Sequence, residues 1–167
     1  MKLFAVYLWG EIEGTHLEMH DVRFVVGESI EDTYEELRKQ WVWTNVFHID
    51  AYIELKHIDG YTISLEKTPS KDSKKLYFVN AWAYDPNFFG ELHEIGFFVW
   101  EDERSVKQEA LKVLCKGKDT PHRDNLYDID NLLEISRIWG YYIHLEKTWK
   151  NQEIKPDWYG YNTDVRG

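Results

Sequence analysis

Gly60-Tyr61-Thr62-Ile63-Ser64-Leu65-Glu66-Lys67-Thr68 returns eighty residues later as Gly140-Tyr141-Tyr142-Ile143-His144-Leu145-Glu146-Lys147-Thr148, with seven of the nine positions identical. A match of this density at a fixed offset points to an internal repeat, and a repeat decides the architecture before any single element is read. Working back from it, Lys2-Leu3-Phe4 lies over Lys75-Leu76-Tyr77 at an offset of 73. That register runs without a gap to Glu28 over Glu101, pairing Val6 with Val79, Trp9 with Trp82, Glu18 with Glu91, His20 with His93, Phe24 with Phe97 and Val26 with Val99. The difference between the two offsets is seven residues, which fall in the turn-forming stretch Gly117 to Tyr127.

Each unit reads as strand, strand, helix, strand, strand. In Leu3 to Trp9 both faces are apolar, which predicts a central strand covered on both sides. The next strand alternates, with Val22, Phe24 and Val26 facing a core and Asp21 and Arg23 opposite. Ser29 with Asp32 has capping-box spacing, and Ile30, Tyr34, Leu37 and Trp41 form the helix stripe behind it. The second helix is expected to start at Ser105, with a stripe of Val106, Ala110, Val113 and Leu114, and to end at Gly117. Strands over 51–58 and 61–66 follow, joined at Asp59-Gly60, a dipeptide suited to a hairpin turn with positive φ. The second copy has Trp139-Gly140 there, so the glycine is the shared requirement. The expected fold is therefore α+β: a tandem duplication of a ββαββ unit, packed as a pseudo-twofold intramolecular dimer with antiparallel sheets. Residues 1–68 form the first repeat, 75–148 the second, and 149–167 an aromatic C-terminal tail. Period-two alternation predicts burial of Phe24, Val26, Ile63 and Leu65, and of Phe97, Val99, Ile143 and Leu145.

The segments His20-Asp21-Val22-Arg23-Phe24-Val25-Val26-Gly27, Lys75-Leu76-Tyr77-Phe78-Val79-Asn80 and Gly90-Glu91-Leu92-His93-Glu94, with the Gly-Tyr endings, resemble the DUF1543 domain family. The resemblance spans about residues 2–148 and implies a unit present in two copies. It implies no activity and no functional residue.

Composition narrows the function classes. Thirty acidic against twenty basic residues give a net charge of −10, and Trp, Tyr and Phe make up 16% of the chain. Nucleic acid or an anionic membrane would require a clustered basic footprint, so neither is expected as a partner. A basic protein partner is expected instead, because opposite charge steers encounter. The chain is expected to be a cytoplasmic monomer or homodimer with no cofactor. Its one cysteine, Cys115, excludes an intrachain disulfide and reads as a small apolar residue of the second helix. The apolar run of Leu3 to Trp9 is too short to cross a bilayer.

Four residues are candidate ligands: Glu18, His20, Glu91 and His93. A pseudo-twofold axis would bring them together, and imidazole with carboxylate suits a divalent metal or acid–base chemistry. The alternative is that each histidine, in phase with Val22 or Ile95, closes the edge of a core. No nucleophile elbow, phosphate loop or dinucleotide fingerprint occurs. His48-Ile49-Asp50 and His122-Arg123-Asp124 look alike, but the repeat register puts His48 over Asp128, so the two are not equivalent. Counting from the second strand gives a βαβββ module completed by the first strand of the second copy. That is the layout of vicinal-oxygen-chelate enzymes, without a ligand on the closing strand. Finally, the second copy carries Tyr142 and His144 where the first has Thr62 and Ser64. Together with Phe98 and Trp100 they form a candidate interaction surface, which the tail (Trp149, Trp158, Tyr159, Tyr161) is expected to cover.

Overall fold

The computed structural model describes residues 1–41, 46–114, 116 and 128–167. The first half runs β1 (Lys2–Gly10), β2 (Met19–Gly27), α1 (Tyr34–Gln40), β3 (Phe47–Glu54), β4 (His57–Ile58) and β5 (Tyr61–Glu66). The second runs β6 (Lys75–Tyr84), β7 (Glu91–Trp100), α2 (Glu103–Val113), β8 (Asp128–Ile135), β9 (Arg137–Ile138) and β10 (Tyr141–Lys147), and the tail adds β11 (Trp158–Asn162). The fold is α+β with antiparallel sheets. One sheet has the order β11-β3-β1-β2, a second β7-β6-β8, and a third, β4-β5-β10-β9, takes strands from both halves. Because β6 pairs with β7 and β8 of its own half, the βαβββ count, which needs it in the first half, does not apply.

β1 and β6 are central strands and bury both faces, as their continuous apolar runs predict. Leu3, Ala5, Leu76 and Phe78 face a shared core with Phe24, Phe97, Ile143 and Leu145, while Phe4, Val6 and Leu8 pack under α1 and Tyr77 and Val79 under α2. Phe24, Phe78 and Phe97 meet with ring centroids 5.4–6.3 Å apart, edge-on or tilted, so aromatic contact joins the halves. The two helices thus lie outside, two sheets lie within, and the third sheet supplies Ile143 and Leu145 to the shared core. Val25 is fully buried, so β2 does not alternate as expected: its last turns are covered by α1 on the far side. Ile63 and Leu65 are half-buried rather than buried, because β5 packs only one side against the shared core.

The caps also differ from expectation in detail. A short 3-10 turn (Glu31–Thr33) precedes α1, and the carboxylate of Asp32 accepts from the backbone N–H groups of Glu28 and Ser29, with no bond from the Ser29 hydroxyl to the helix start. Only the carboxylate half of the capping box forms. In α2 the cap is Asp102, which accepts from Ser105 N–H and Ser105 Oγ, so the helix starts earlier than Ser105. Val113 is 49% exposed and lies outside the buried stripe of Val106, Ala110 and Leu114. Cys115, Gly117, the inserted loop and His122-Arg123-Asp124 lie outside the described residues. The hairpins behave as read: φ is +49° and +81° at Asp59-Gly60, and +52° and +75° at Trp139-Gly140.

The tail corrects a larger expectation. It does not cover the second half; β11 pairs antiparallel with β3 of the first, Trp158 stacks on Tyr52 at 6.0 Å, and Val165 enters the core beneath α1. The reason lies in connectivity and an open edge. β10 pairs with β5, so the chain leaves it beside the first half, where β3 offers an unpaired strand edge. The strand expected over 51–58 also bends at Leu55-Lys56 to pass from one sheet to another. Gln152 of the tail satisfies that corner: its Oε1 accepts from Lys56 N–H and His57 N–H, and its Nε2 donates to the Glu54 carbonyl.

Candidate ligand cleft

β2 and β7 carry the two predicted histidines to the ends of the sheets. Trp9 pairs with His20 across β1 and β2, and Trp82 with His93 across β6 and β7. The four predicted ligands do not share one point. His20 Nε2 lies 3.5 Å from Asp50 Oδ2, His93 Nε2 lies 3.8 Å from Glu91 Oε2, and Glu18 contributes only a long-range field. Among the described residues no three His, Cys, Asp or Glu groups are placed to hold a metal ion.

His20 instead belongs to a cluster that the spacing did not reveal. The β1–β3 register shifts between Tyr7–Ala51 and Leu8–Ile49, leaving Asp50 as the extra residue of a bulge. A bulge re-aims its side chain, and here Asp50 reaches both imidazoles, with Oδ1 2.8 Å from His48 Nε2. Tyr7 stacks on His20 at 5.4 Å, Trp9 lies 4.4 Å from His48, and Tyr161 of the tail lies 4.0 Å from His48 on its own contact. His48 is 5% exposed, and burial pushes its pKa down, with the Asp50 carboxylate opposing. Its Nδ1 and the neighbouring Trp9 Nε1 are buried with no hydrogen-bond partner among the described residues. The signal was present in the sequence: Ile49-Asp50 and Ile129-Asp130 are identical at the offset of 80.

Next to this cluster a cleft of about 350 Å³ opens between the two inner sheets. Ala5, Tyr7, Val22, Ala51 and Ile53 form one wall, His93, Ile95 and Phe97 with Glu94 the other, and Ile154 and Pro156 of the tail close one side. No residue of the third sheet lines it. Its volume and its apolar lining, with a few polar groups, are those of a small-molecule site. Ala5 and Ala51 contribute the smallest side chains of its lining; the residues 73 and 80 positions further along the chain are Phe78 and Asn131. Burial raises the Tyr7 hydroxyl pKa, and the fields of Asp50 and Asp21 raise it further. The Arg23 guanidinium pairs with Asp21 at 2.6 Å, and Lys155 with Glu153 at 2.9 Å.

The candidate interaction surface does not hold together as one face. Phe98 is buried beneath α2, because β7, like β2, is covered on both sides there. Trp100 is half-buried with Lys74 over its ring at 5.4 Å, Tyr142 faces Arg137 at 5.2 Å, and His144 Nε2 is 2.8 Å from the Thr68 carbonyl. Among the described residues the most exposed aromatics of the second half lie elsewhere, at Phe88 and Phe89 in the β6–β7 hairpin.

These features define an α+β protein of antiparallel sheets with a cleft between its two halves. Residues 15–65 match DUF1543, a domain of unknown function, in a single copy. The crystal structure of protein Il1583 from Idiomarina loihiensis is 33% identical and matches with a TM-score of 0.75 over 96% of this chain and 96% of that chain. The chain belongs to the family of that protein. No curated protein matches it. Among the described residues no helix is long and apolar enough to cross a membrane.

Proposed function

We propose that the chain is a tandem duplication of a ββαββ unit that acts as a cytoplasmic small-molecule-binding protein, with its site in the cleft between the halves. Two features support the duplication beyond the sequence match. β5 pairs with β10 so that Thr62 meets Glu146, Ser64 meets His144 and Glu66 meets Tyr142. At an offset of 80 this register maps onto itself, as a local dyad between Ser64 and His144 requires. The bulges also correspond: Asp50 is the extra residue on β3, and Asp130, between Asn131 and Ile129, is the extra residue on β8. On this reading 1–68 and 75–148 are the repeats, and 149–167 is a tail that serves the first.

The observation that carries the binding reading is the apolar cleft beside Tyr7 and His93, opened by Ala5 and Ala51. Natural cores fill such space at close to crystalline density; a gap this size next to polar groups is suited to a ligand. The test is Ala5→Phe, which places in β1 the residue that β6 carries at Phe78. A neutral apolar dye such as N-phenyl-1-naphthylamine should brighten on mixing with the natural chain and stay dark with the variant, whose melting curve should remain cooperative. Equal brightening with both would show that the dye, and the site, lie elsewhere.

A second reading, an acidic protein that neutralises a basic protein partner, is supported by the net charge of −10 and by the exposed Phe88 and Phe89. It predicts salt-sensitive complexes with basic proteins that Ala5→Phe leaves intact.

A further inference from the structure

We propose that the ligand of this cleft is a short peptide, apolar in its middle, bound in extended form as an added strand on the open edge of β7; this rests on the reading of the cleft as a binding site. β7 ends its sheet, in the order β7-β6-β8. An edge strand turns every second backbone N–H and C=O away from its one ladder partner. Val99 shows which ones these are: its N–H donates to Asp59 Oδ2 at 2.8 Å, so it points away from β6. The β6–β7 register runs unshifted from Lys75–Trp100 to Tyr84–Glu91, so Phe97, Ile95 and His93 turn their backbone groups the same way. Among the described residues no backbone or side-chain acceptor is bonded to those three N–H groups.

Those groups lie on the cleft. Side chains alternate between faces along a strand, yet His93, Glu94, Ile95 and Phe97 all line it. A cavity that touches neighbours from both faces meets the strand along its edge. His93 to Phe97 spans about 13 Å at the usual rise per residue, the reach of four or five extended residues. The rest of the lining includes Ala5, Val22, Ala51, Ile53, Ile154 and Pro156, which are small or branched and apolar, so both rows of side chains on an added strand meet apolar surface. The fold answers the same backbone need elsewhere. The tail adds β11 to the edge of β3, with Tyr159 across from Ala51. On β2, Val22 stands 73 positions before Ile95, and its N–H donates to Asp21 Oδ1 at 2.7 Å. Over 93–97, β7 instead faces open space of strand-like shape. Main-chain pairing on such an edge, with room for alternate side chains, is a recurrent mode of peptide recognition. The net charge of −10 favours a segment whose flanks are basic.

The probe is an acetylated and amidated hexapeptide with lysine at each end and alternating valine and alanine between, titrated at low salt into the chain labelled with nitrogen-15. Binding should slow solvent exchange of the Ile95 N–H at least ten-fold and shift the amide signals of His93 and Phe97. Gly96 and Phe98, whose N–H groups face β6, should keep their exchange rates. Ala5→Phe should abolish these changes. Two further peptides, N-methylated at one or the other alternate pair of central amides, separate backbone pairing from apolar contact: one should bind at least ten-fold more weakly and the other within three-fold of the parent. Equal loss with both, loss with neither, or binding that leaves Ile95 exchange unchanged would overturn the added strand. No binding of the peptide, while the neutral dye still distinguishes Ala5→Phe from the natural chain, would overturn the peptide and leave the cleft as a site. If neither probe distinguishes the variant, the cleft reading falls and this one with it.

Discussion

Replacing Gln152 with alanine tests how the tail is tied to the first half. The side chain makes three bonds to backbone at the corner where the chain leaves β3: 2.6 Å from Lys56 N, 2.8 Å from His57 N and 2.9 Å to the Glu54 carbonyl. A typical hydrogen bond contributes about 1 kcal/mol net, and more when its loss leaves a buried partner unsatisfied. His57 and Gln152 are half-buried and Lys56 is exposed, so water can replace part of what is lost. The three together should then be worth about 2–3 kcal/mol. For a chain of this size that corresponds to a fall of roughly 4–12 °C in melting temperature. Urea unfolding of Gln152→Ala against the natural chain measures it directly, and the midpoint should fall with the slope unchanged. Gln152→Glu keeps an oxygen that can accept from both N–H groups but turns a carboxylate oxygen toward the Glu54 carbonyl, so it should recover less than half of the loss. A cost below about 0.5 kcal/mol for the alanine variant would mean that the corner is satisfied without the tail, and the docking described above would be wrong.

Further outcomes follow from the same geometry. Phe24→Ala and Phe97→Ala each remove a ring from the node that joins the halves, and each should cost about 3–5 kcal/mol in urea unfolding; a cost under 1 kcal/mol would show that the rings do not share one core. Gly60→Ala and Gly140→Ala place a Cβ at φ near +80°, which should cost about 1–2 kcal/mol at either site; an unchanged midpoint would contradict the turn conformation. Burial lowers the His48 pKa in the folded chain, so the unfolded chain binds more protons as pH falls through the ordinary imidazole value of about 6.5. Stability should therefore be level above that pH and decline below it until the depressed folded pKa is passed, and His48→Gln should flatten this part of the profile. A profile that keeps its slope in that variant would place the titration elsewhere.

Much of the fold was legible because strands and turns leave local signatures. Doubly apolar runs marked β1 and β6, and Asp59-Gly60 and the shared Gly140 marked the hairpins by the backbone angles that only certain residues accept readily. The helix stripe of Ile30, Tyr34, Leu37 and Trp41 was read from spacing, and all of it is buried except Tyr34, which is half-buried. The cap at Asp102 was missed because a carboxylate three residues ahead of Ser105 satisfies the same orphan N–H groups that Ser105 was assigned to satisfy.

The candidate site was legible only in part. The sequence located His20 and His93 at matching strand positions but gave no means of knowing that they take different carboxylates. Asp50 joins His20 and His48 through a bulge, and a bulge depends on how two strands register, which neither strand encodes alone. The cleft is likewise a property of the space between sheets: Ala5 and Ala51 are unremarked small residues until two walls face each other across them. The sequence by itself determined the order of strands and helices, the buried faces of the central strands and the glycine turns, because these follow from periodicity and backbone sterics within a few residues. Only the tertiary structure decided where the tail docks, which strands cross between halves and what the histidines touch. Those outcomes are set by contacts between residues distant in the chain, such as Gln152 with Lys56 and Tyr161 with His48, where many pairings are locally equivalent and packing selects one.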